Sequence, residues 1–358
     1  LVFRGLGYMF DVDVLLSAPP QDASKMWVEW SRIVPKDSPS FLNMYEGAGY
    51  VWFDGQRALR EAFSALKGDS LDLSGIQWLT VADKYFMGSI ISSGGLTAGK
   101  LIKSGELYRA RLSGDTREQH VKIYAGPKHH RLLENSGFEL KRNLDFGRTS
   151  VIALPLLQLL HLLHDLFGNY GLAIVMLTIL VKLVLYPLNA SSFKQMKSLQ
   201  DLGPEIKRIR ETITDKQQQQ LATMQLYKER QVNPLGGCLP ILLQMPVFIG
   251  LYSALLLDIE LRHAPFAFWI NDLSAPEKLH VLGISLPVMV ILFVISMLVQ
   301  QWTTPSTIDP AQKKAMLIVP LVFGFMFASM PAGLTLYWLT NNLISIGQMA
   351  GFRKEAAA

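Results

Sequence analysis

Several kinds of site are missing from this chain of 358 residues. A single cysteine, Cys238, excludes a disulfide within one chain and any metal or redox motif built from several cysteines. The sequence also lacks a Walker-type glycine loop, a GxGxxG fingerprint, an HExxH helix and a nucleophile–base motif. We therefore predict that the protein is not an enzyme, and we assign it no catalytic residue, no cofactor and no metal site.

Charge is almost absent from five apolar runs in the second half of the chain. The runs cover residues 169–188, 238–257, 283–301, 315–330 and 332–349. Their length and apolarity predict transmembrane helices. At about 1.5 Å per residue, the shortest run reaches about 24 Å, less than a hydrocarbon core of about 30 Å. Such a short span predicts local thinning of the bilayer.

Lys182 is the one charged residue within these runs. A charge at the centre of a membrane helix costs about 2.5–3.5 kcal/mol on insertion scales, so a lysine there is a candidate functional residue. The alternative is that its long side chain snorkels to the interface, because Pro187 lies close by at the cytoplasmic end of the run. No run contains an acidic residue and no inverted repeat is visible, which argues against proton- or sodium-coupled transport.

Lysines and arginines in the short loops predict the orientation of these helices. They are frequent between Lys194 and Arg230, and pairs of them stand at 313–314 and at 353–354, whereas the loop 258–282 contains only Arg262 and Lys278. The positive-inside rule places the three richer segments in the cytoplasm. The first half of the chain then lies outside, and the tail, residues 351–358, lies in the cytoplasm.

Residues 1–147 are predicted to form an extracytoplasmic β-sandwich domain with a helical appendage. β-Branched and aromatic residues concentrate in four segments between turns rich in Gly, Asp and Ser: residues 50–55, 77–83, 107–112 and 120–125. Two further segments, Met26–Val34 and Gly55–Leu66, are predicted as short helices.

Residues 148–168 link this domain to the apolar runs. Gln158, His161 and His164 interrupt an apolar sequence at a spacing of three, so they lie along one helical face. This pattern predicts an amphipathic helix on the membrane surface. The alternative is that the segment is the last packed helix of the soluble domain.

The cytoplasmic segment 190–232 is predicted to form a hairpin of two antiparallel helices. The first helix is expected over 191–213, with a kink at Gly203–Pro204. Asp215 caps or breaks the pair, and the second helix is expected over 216–230. A plain helical connector is the alternative, but the segment is longer and more charged than the topology requires.

Polar side chains recur within the apolar runs at helical spacing. Thr178 lies one turn before Lys182, so both point the same way. The others are Gln244 in the second run, Ser296, Gln300 and Gln301 in the third, and a stripe of Trp338, Asn341, Ser345 and Gln348 in the last. They can line a wet cavity around Lys182. The alternative is ordinary hydrogen bonding between helices, which is common in membrane bundles.

Three segments strongly resemble the YidC family of bacterial membrane protein insertases. They are Val232–Phe248, Glu260–Ser274 and Met330–Trp338, and the resemblance extends over about residues 148–350. Residues 1–147 more weakly resemble the end of the large periplasmic domain of Gram-negative members, which is a galactose-mutarotase-like sandwich. The family's first transmembrane helix is expected to precede Leu1.

The resemblance implies a polytopic α-helical membrane protein of the bacterial inner membrane, with a five-helix core over 169–350 and a hydrophilic groove that is open to the cytoplasm and to lipid. The family carries a positive residue, usually Arg, where this chain has Lys182. The groove is expected to contain Lys182, Thr178, Gln244, Gln300, Trp338, Asn341 and Ser345. A substrate helix is expected to slide into lipid along Leu242, Met245, Val322 and Phe325.

The resemblance also implies partners. Nascent membrane proteins are the expected substrates, the Sec translocon subunits are expected to dock, and the phospholipid bilayer surrounds the core. The hairpin is expected to receive substrates and to contact targeting or ribosomal partners through Met196, Lys207, Arg208, Arg210 and Tyr227. The short basic tail supports a ribosome contact only weakly. Basic residues of the hairpin could meet RNA, but interspersed acidic residues dilute this patch. No binding to DNA is expected.

Two other functions compete with insertion at this stage. A transporter could use a cavity around Lys182, but it would need an acidic or repeat-related coupling site, and the sequence shows none. A structural assembly subunit could use the groove as a docking slot for one partner. Stable one-to-one co-purification with that partner would favour this second alternative.

Overall fold

The structure is a computed structural model and describes most of the chain. The described residues are 2–15, 26–33, 49–63, 65–66, 68–114, 118–144, 146, 149–233, 239–281, 283–303 and 316–355. The predictions for Cys238 and for the basic pair at 313–314 lie outside the described residues. The chain forms two compact units, one of Leu1–Gly147 with Leu257–Glu260 and one of Arg148–Leu256 with Leu261–Ala358.

The first unit contains two antiparallel sheets that share an apolar core. Its strands are β1 Val2–Leu6, β2 Met9–Leu15, β3 Met26–Ile33, β4 Gly49–Phe53, β5 Ala58–Ala62, β6 Ser70–Ser74, β7 Trp78–Ala82, β8 Phe86–Ser92, β9 Ala98–Ser104, β10 Leu107–Gly114 and β11 Glu118–Pro127. One sheet has the order β1-β2-β11-β8-β7-β4-β5 and the other the order β3-β10-β9-β6. This arrangement confirms the predicted β-sandwich.

The larger sheet is covered on both faces. Successive residues of a strand point to opposite faces, so Tyr50 enters the core between the sheets while Val51 enters a second core on the outer face. Helix α1, His130–Asn135, and a 3₁₀ turn at Leu140–Asn143 cover that outer face. The indole Nε1 of Trp78 donates a hydrogen bond of 2.8 Å to the carbonyl oxygen of Phe138 and ties this cover to the sheet.

Both short helices predicted in the first unit were wrong. Met26–Ile33 forms strand β3, in which Val28 and Trp30 pack on the core and Glu29 between them does not. This period of two is the strand pattern. The segment Ala58–Ala62 contains good helix formers, yet it pairs with β4 along its whole length, because tertiary pairing overrides local propensity.

The second unit is mainly helical. Its helices are α2 Ser150–Phe167, α3 Tyr170–Val184, α4 Tyr186–Asp201, α5 Gly203–Thr212, α6 Lys216–Glu229, α7 Leu239–Leu257, α8 Val288–Thr303, α9 Ile318–Phe327 and α10 Ala332–Glu355. Two short strands, β12 Leu279–Val281 and β13 Ile284–Leu286, form a hairpin before α8.

Each predicted membrane run contains a helix, but several boundaries differ. Helix α3 ends at Val184, and α4 continues after a bend of 62°, so the end of the first run belongs to the hairpin. Strand β13 occupies the start of the third run. Helix α9 has only 10 residues, which is about 15 Å at 1.5 Å per residue.

Among the described residues, α2 is the one helix that is long and apolar enough by itself to cross a membrane, judged by length and composition. Helices α3 and α4 meet the same criterion only as a bent pair, and α8 and α9 are apolar but shorter. The interfacial position predicted for residues 148–168 therefore stays a prediction.

The predicted hairpin is present and carries a small core of its own. Leu202, Ile206 and Leu226 pack together. The helix is interrupted at Leu202, beside the predicted kink, so α4 ends there and α5 begins. The Oδ1 atom of Asp215 accepts a hydrogen bond of 3.0 Å from the backbone N–H of Gln217, which caps α6 as predicted.

Candidate functional site

Lys182 lies on the last turn of α3 and is buried, with only 6% of the residue exposed. Its Nζ atom donates a hydrogen bond of 2.8 Å to Oγ of Ser345 on α10, and that hydroxyl donates a bond of 2.8 Å to the carbonyl oxygen of Asn341. Within the described part of the chain, no carboxylate pairs with Lys182. The ammonium is therefore held between α3 and α10 by a neutral hydroxyl.

Helix α10 supplies the polar partner for three other helices. Besides the contact with α3, its Tyr337 hydroxyl accepts a hydrogen bond from Nε2 of Gln244 on α7. The side-chain nitrogen of Asn342 donates a bond of 3.1 Å to Oγ of Ser296 on α8. These three contacts are hydrogen bonds between membrane helices. Helix α10 therefore forms side-chain hydrogen bonds with three neighbouring helices, α3, α7 and α8.

The remaining predicted groove residues have different environments. The hydroxyl of Thr178 is buried and donates a bond of 2.7 Å to the carbonyl oxygen of Ile174 in its own helix. Trp338 packs against the rings of Phe248, Phe293 and Phe327. Gln300 is half-buried on α8. Thr178 and Trp338 thus act mainly in local helix bonding and aromatic packing.

Two buried polar atoms on α10 lack a hydrogen-bond partner among the described residues. They are Oδ1 of Asn341 and the indole Nε1 of Trp338. A buried polar atom that stays unpaired costs about 1–3 kcal/mol. One acceptor and one donor on α10 therefore stay unpaired inside the described helices.

The four residues of the predicted slide lie at the surface of the second unit. Leu242 and Met245 on α7 and Val322 and Phe325 on α9 are all exposed, and Phe325 reaches 87%. Apolar side chains that project from short apolar helices suit contact with lipid or with another apolar helix. Their position agrees with a slide, although the role itself stays a proposal.

The predicted contact residues of the hairpin are not equally available. Lys207, Arg208 and Arg210 are exposed, whereas Met196 is half-buried and Tyr227 packs against the small core of the hairpin. Lys207 also forms an ion pair of 3.7 Å with Glu211 on the same helix. Tyr227 therefore has a structural role in the hairpin, and a contact of the exposed basic residues with targeting or ribosomal partners stays a prediction.

Residues 261–277 form a loop cap that joins the N-terminal ends of three helices. Asn169, the N-cap of α3, donates from Nδ2 to the carbonyl oxygen of Phe266 at 3.1 Å. The backbone N–H groups of Ala332 and Gly333 at the start of α10 donate to the loop carbonyls of Ala275 and Leu273, at 2.8 and 2.9 Å.

Glu277 makes the third of these attachments, to α8. Its buried carboxylate accepts hydrogen bonds from the backbone N–H groups of Val288 and Met289, at 3.1 and 3.2 Å. It also accepts one from the indole of Trp269 within the cap. A carboxylate is favoured at a helix N-terminus, where the first backbone N–H groups lack intrahelical partners.

Asp272 holds the interior of the cap together. Burial raises the pKa of its carboxyl, but hydrogen bonds from the side chain and backbone of Ser274 and from the backbone of His263, together with the charge of His263, outweigh burial and leave the pKa below its usual value. The carboxylate is therefore ionised at neutral pH and anchors the turn around it.

Four of these residues were not among the predicted site residues. Tyr337 and Asn342 lie next to predicted groove positions, and a helix turns about 100° per residue, so each faces a different direction from the predicted residue beside it. Asp272 and Glu277 lie in a loop for which no site was predicted. A carboxylate placed shortly before a predicted helix start is a capping signal that could have identified Glu277.

Comparison with known proteins gives matches along both units. A family model described as "60Kd inner membrane protein" matches residues 162–357, and one described as "YidC periplasmic domain" matches residues 1–159. The membrane protein insertase YidC of Pelobacter propionicus is 40% identical over 326 residues, which cover 87% of this chain and 60% of the relative. That of Geotalea uraniireducens is 37% identical over 369 residues, covering 99% and 68%.

The chain spans less than two thirds of the length of several such relatives, including the YidC of Geobacter metallireducens, of which it covers 61% at 38% identity. Among solved structures, one described as "Active YidC insertase crystal structure with the first transmembrane domain resolved" aligns with a TM-score of 0.48 at 19% identity. The alignment covers 85% of this chain and 83% of that chain.

Proposed function

The chain belongs to the YidC family of membrane protein insertases, and from that membership we propose that it inserts and folds nascent proteins of the bacterial inner membrane. It works alone or with the Sec translocon. The β-sandwich lies in the periplasm and the hairpin and tail lie in the cytoplasm, as the distribution of basic residues predicts.

The observation that carries this proposal is the buried, unneutralised ammonium of Lys182. A carboxylate of a substrate that approached to about 4 Å would gain about 4 kcal/mol at an effective dielectric constant of about 20. That gain is similar in size to the cost of about 2.5–3.5 kcal/mol of placing a charge in a membrane helix. The carboxylate of an acidic tail can therefore leave its hydration water and bind beside Lys182 at little net cost in free energy.

Two unpaired polar atoms of α10 offer hydrogen bonds to uncharged parts of a tail. The unpaired Oδ1 of Asn341 accepts from a donor, and the indole Nε1 of Trp338 donates to an acceptor. A peptide bond offers both groups. Lys182 therefore attracts the acidic tail, and α10 provides hydrogen bonds to its backbone.

The short helices lower the remaining barrier. Helix α9 spans about 15 Å and α8, with 16 residues, about 24 Å, both less than a hydrocarbon core of about 30 Å. A bilayer that thins to match them shortens the path of a polar tail. The apolar segment of the substrate then moves into lipid along Leu242 and Phe325, and burial of its apolar surface drives the step without nucleotide.

The test uses vesicles that contain this protein as their only protein. A single-span substrate with an acidic external tail is compared with the same substrate carrying a neutral tail. Wild type and Lys182→Arg are expected to insert both, whereas Lys182→Ala loses the acidic-tailed substrate and keeps the neutral one. The proposal fails if Lys182→Ala inserts the acidic tail as well as wild type does.

A further inference from the structure

Phe268 in the loop cap combines two unusual features. Its side chain is the most exposed large apolar group recorded in the second unit, at 92%, and its backbone has a φ of 56°. A bulky residue with positive φ is a genuine outlier among folded proteins. The ring is thus presented outward by a strained backbone, an arrangement that neither the fold of the cap nor the proposed insertion step explains.

Hydrogen bonds within the cap fix this conformation. The backbone N–H of Phe266 donates to the carbonyl oxygen of Ile270 at 3.0 Å, and the N–H of Ile270 donates to the carbonyl oxygen of Ala267 at 3.1 Å. Phe268 is at the tip of the tight turn that these bonds close. Ile270, at the end of the same turn, is buried, so the turn cannot easily rotate to hide the Phe268 ring.

Hydrogen bonds on either side of Phe268 attach the turn to the N-terminal ends of two helices. Phe266 accepts the hydrogen bond from the N-cap of α3, and Trp269 donates to Glu277, which caps α8. Phe268 lies between these two residues in sequence. The ring is therefore held in the part of the loop cap that is attached to the N-terminal ends of α3 and α8.

Trp302, at the end of α8 away from the loop cap, is another exposed aromatic residue, at 69%. Tryptophan and tyrosine are enriched at both membrane–water interfaces, and phenylalanine, tryptophan and leucine form the buried face of interfacial helices. We infer that Phe268 is an interfacial anchor, which inserts its ring into the outer leaflet of the bilayer and fixes the depth of the loop cap.

The occupant of this position is lipid rather than a protein partner. A phenylalanine ring has no polar atom, so it gains from hydrocarbon and needs no matching donor or acceptor. The inference uses the membrane placement within the proposed function but not the insertion activity. A protein that fails to insert substrates can still carry this anchor.

The test places p-trifluoromethylphenylalanine at Phe268 in the full chain, in nanodiscs of phosphatidylethanolamine and phosphatidylglycerol. The matched control carries the same label at Phe138 of the first unit, another exposed phenylalanine with positive φ, of 53°. Fluorine NMR then records signal loss caused by a nitroxide lipid labelled near the headgroup and by a water-soluble gadolinium chelate.

We expect the lipid nitroxide to remove the signal at position 268 and the gadolinium chelate to leave most of it, with the reverse at position 138. Signal loss from the chelate at 268 equal to that at 138 would show that the ring is in water and would overturn the inference. Protection from both probes would also overturn it, because the ring would then be covered by protein.

Discussion

The attachment of α8 to the loop cap can be broken at a single carboxylate. Glu277→Ala removes the acceptor of three hydrogen bonds, two from the first backbone N–H groups of α8 and one from the indole of Trp269. Hydrogen bonds to a charged group contribute about 1.5–3 kcal/mol each, and effects within one network do not add fully. We expect the free energy of opening at this attachment to fall by about 3 kcal/mol.

Hydrogen–deuterium exchange measures this opening directly. A loss of about 3 kcal/mol corresponds to exchange faster by about two orders of magnitude, and it should appear at the backbone N–H groups of Val288 and Met289 and within the cap. Glu277→Gln is the matched control. It keeps one acceptor oxygen for Trp269 and Val288 but turns an amide donor toward Met289, so we expect a smaller effect of about 1–2 kcal/mol.

The attachments of α3 and α10 to the cap do not involve Glu277, so their exchange should change little. Exchange in Glu277→Ala that equals wild type at Val288 and Met289 would show that the carboxylate does not hold this attachment. Uniformly faster exchange throughout the second unit would contradict the prediction as well, because the carboxylate would then support the whole bundle and not one attachment.

Three further predictions concern other parts of the molecule. Ser345→Ala removes the acceptor that fixes Lys182, so insertion of acidic tails should slow by about tenfold while Ser345→Thr stays near wild type, as measured by the vesicle assay. Gly88→Ala would place a Cβ atom 2.0 Å from the Trp30 ring, and this overpacking should lower the stability of the first unit by about 1–3 kcal/mol in denaturant titrations followed by tryptophan fluorescence. Burial lowers the pKa of Lys128 from 10.5 to about 7, so the unfolded chain binds one more proton between these values and stability should rise with pH there by about 1.4 kcal/mol per unit. Lys128→Met should flatten the dependence of stability on pH. An unchanged slope would show that Lys128 does not cause it.

Local sequence patterns predicted the architecture of both units well. The alternation around Tyr50 and Trp78 predicted the strands of the sandwich, and Gly203 and Asp215 correctly marked the break and the cap in the hairpin. These signals are local, because strand alternation, helix caps and proline breaks depend on a few neighbouring residues. The segment Ala58–Ala62 shows the limit, since its pairing with a distant strand decided its structure against its own propensity.

The site was predicted less completely than the fold, for a physical reason. Periodicity identified α10 as a polar helix and found Asn341 and Ser345, but it cannot tell which neighbouring helix each face meets. The partners of Gln244 and Ser296, Tyr337 and Asn342, therefore appeared only in the structure.

In the proposed mechanism, the charge of Lys182 attracts the acidic tail of a substrate. Charge reversal is the decisive experiment: Lys182→Glu is assayed in vesicles with two substrates that differ only in an acidic or a lysine-bearing external tail. We expect Lys182→Glu to reject the acidic tail and to insert the basic one faster than wild type does. If both proteins insert the two substrates with the same preference, the charge does not select the tail and the account is wrong.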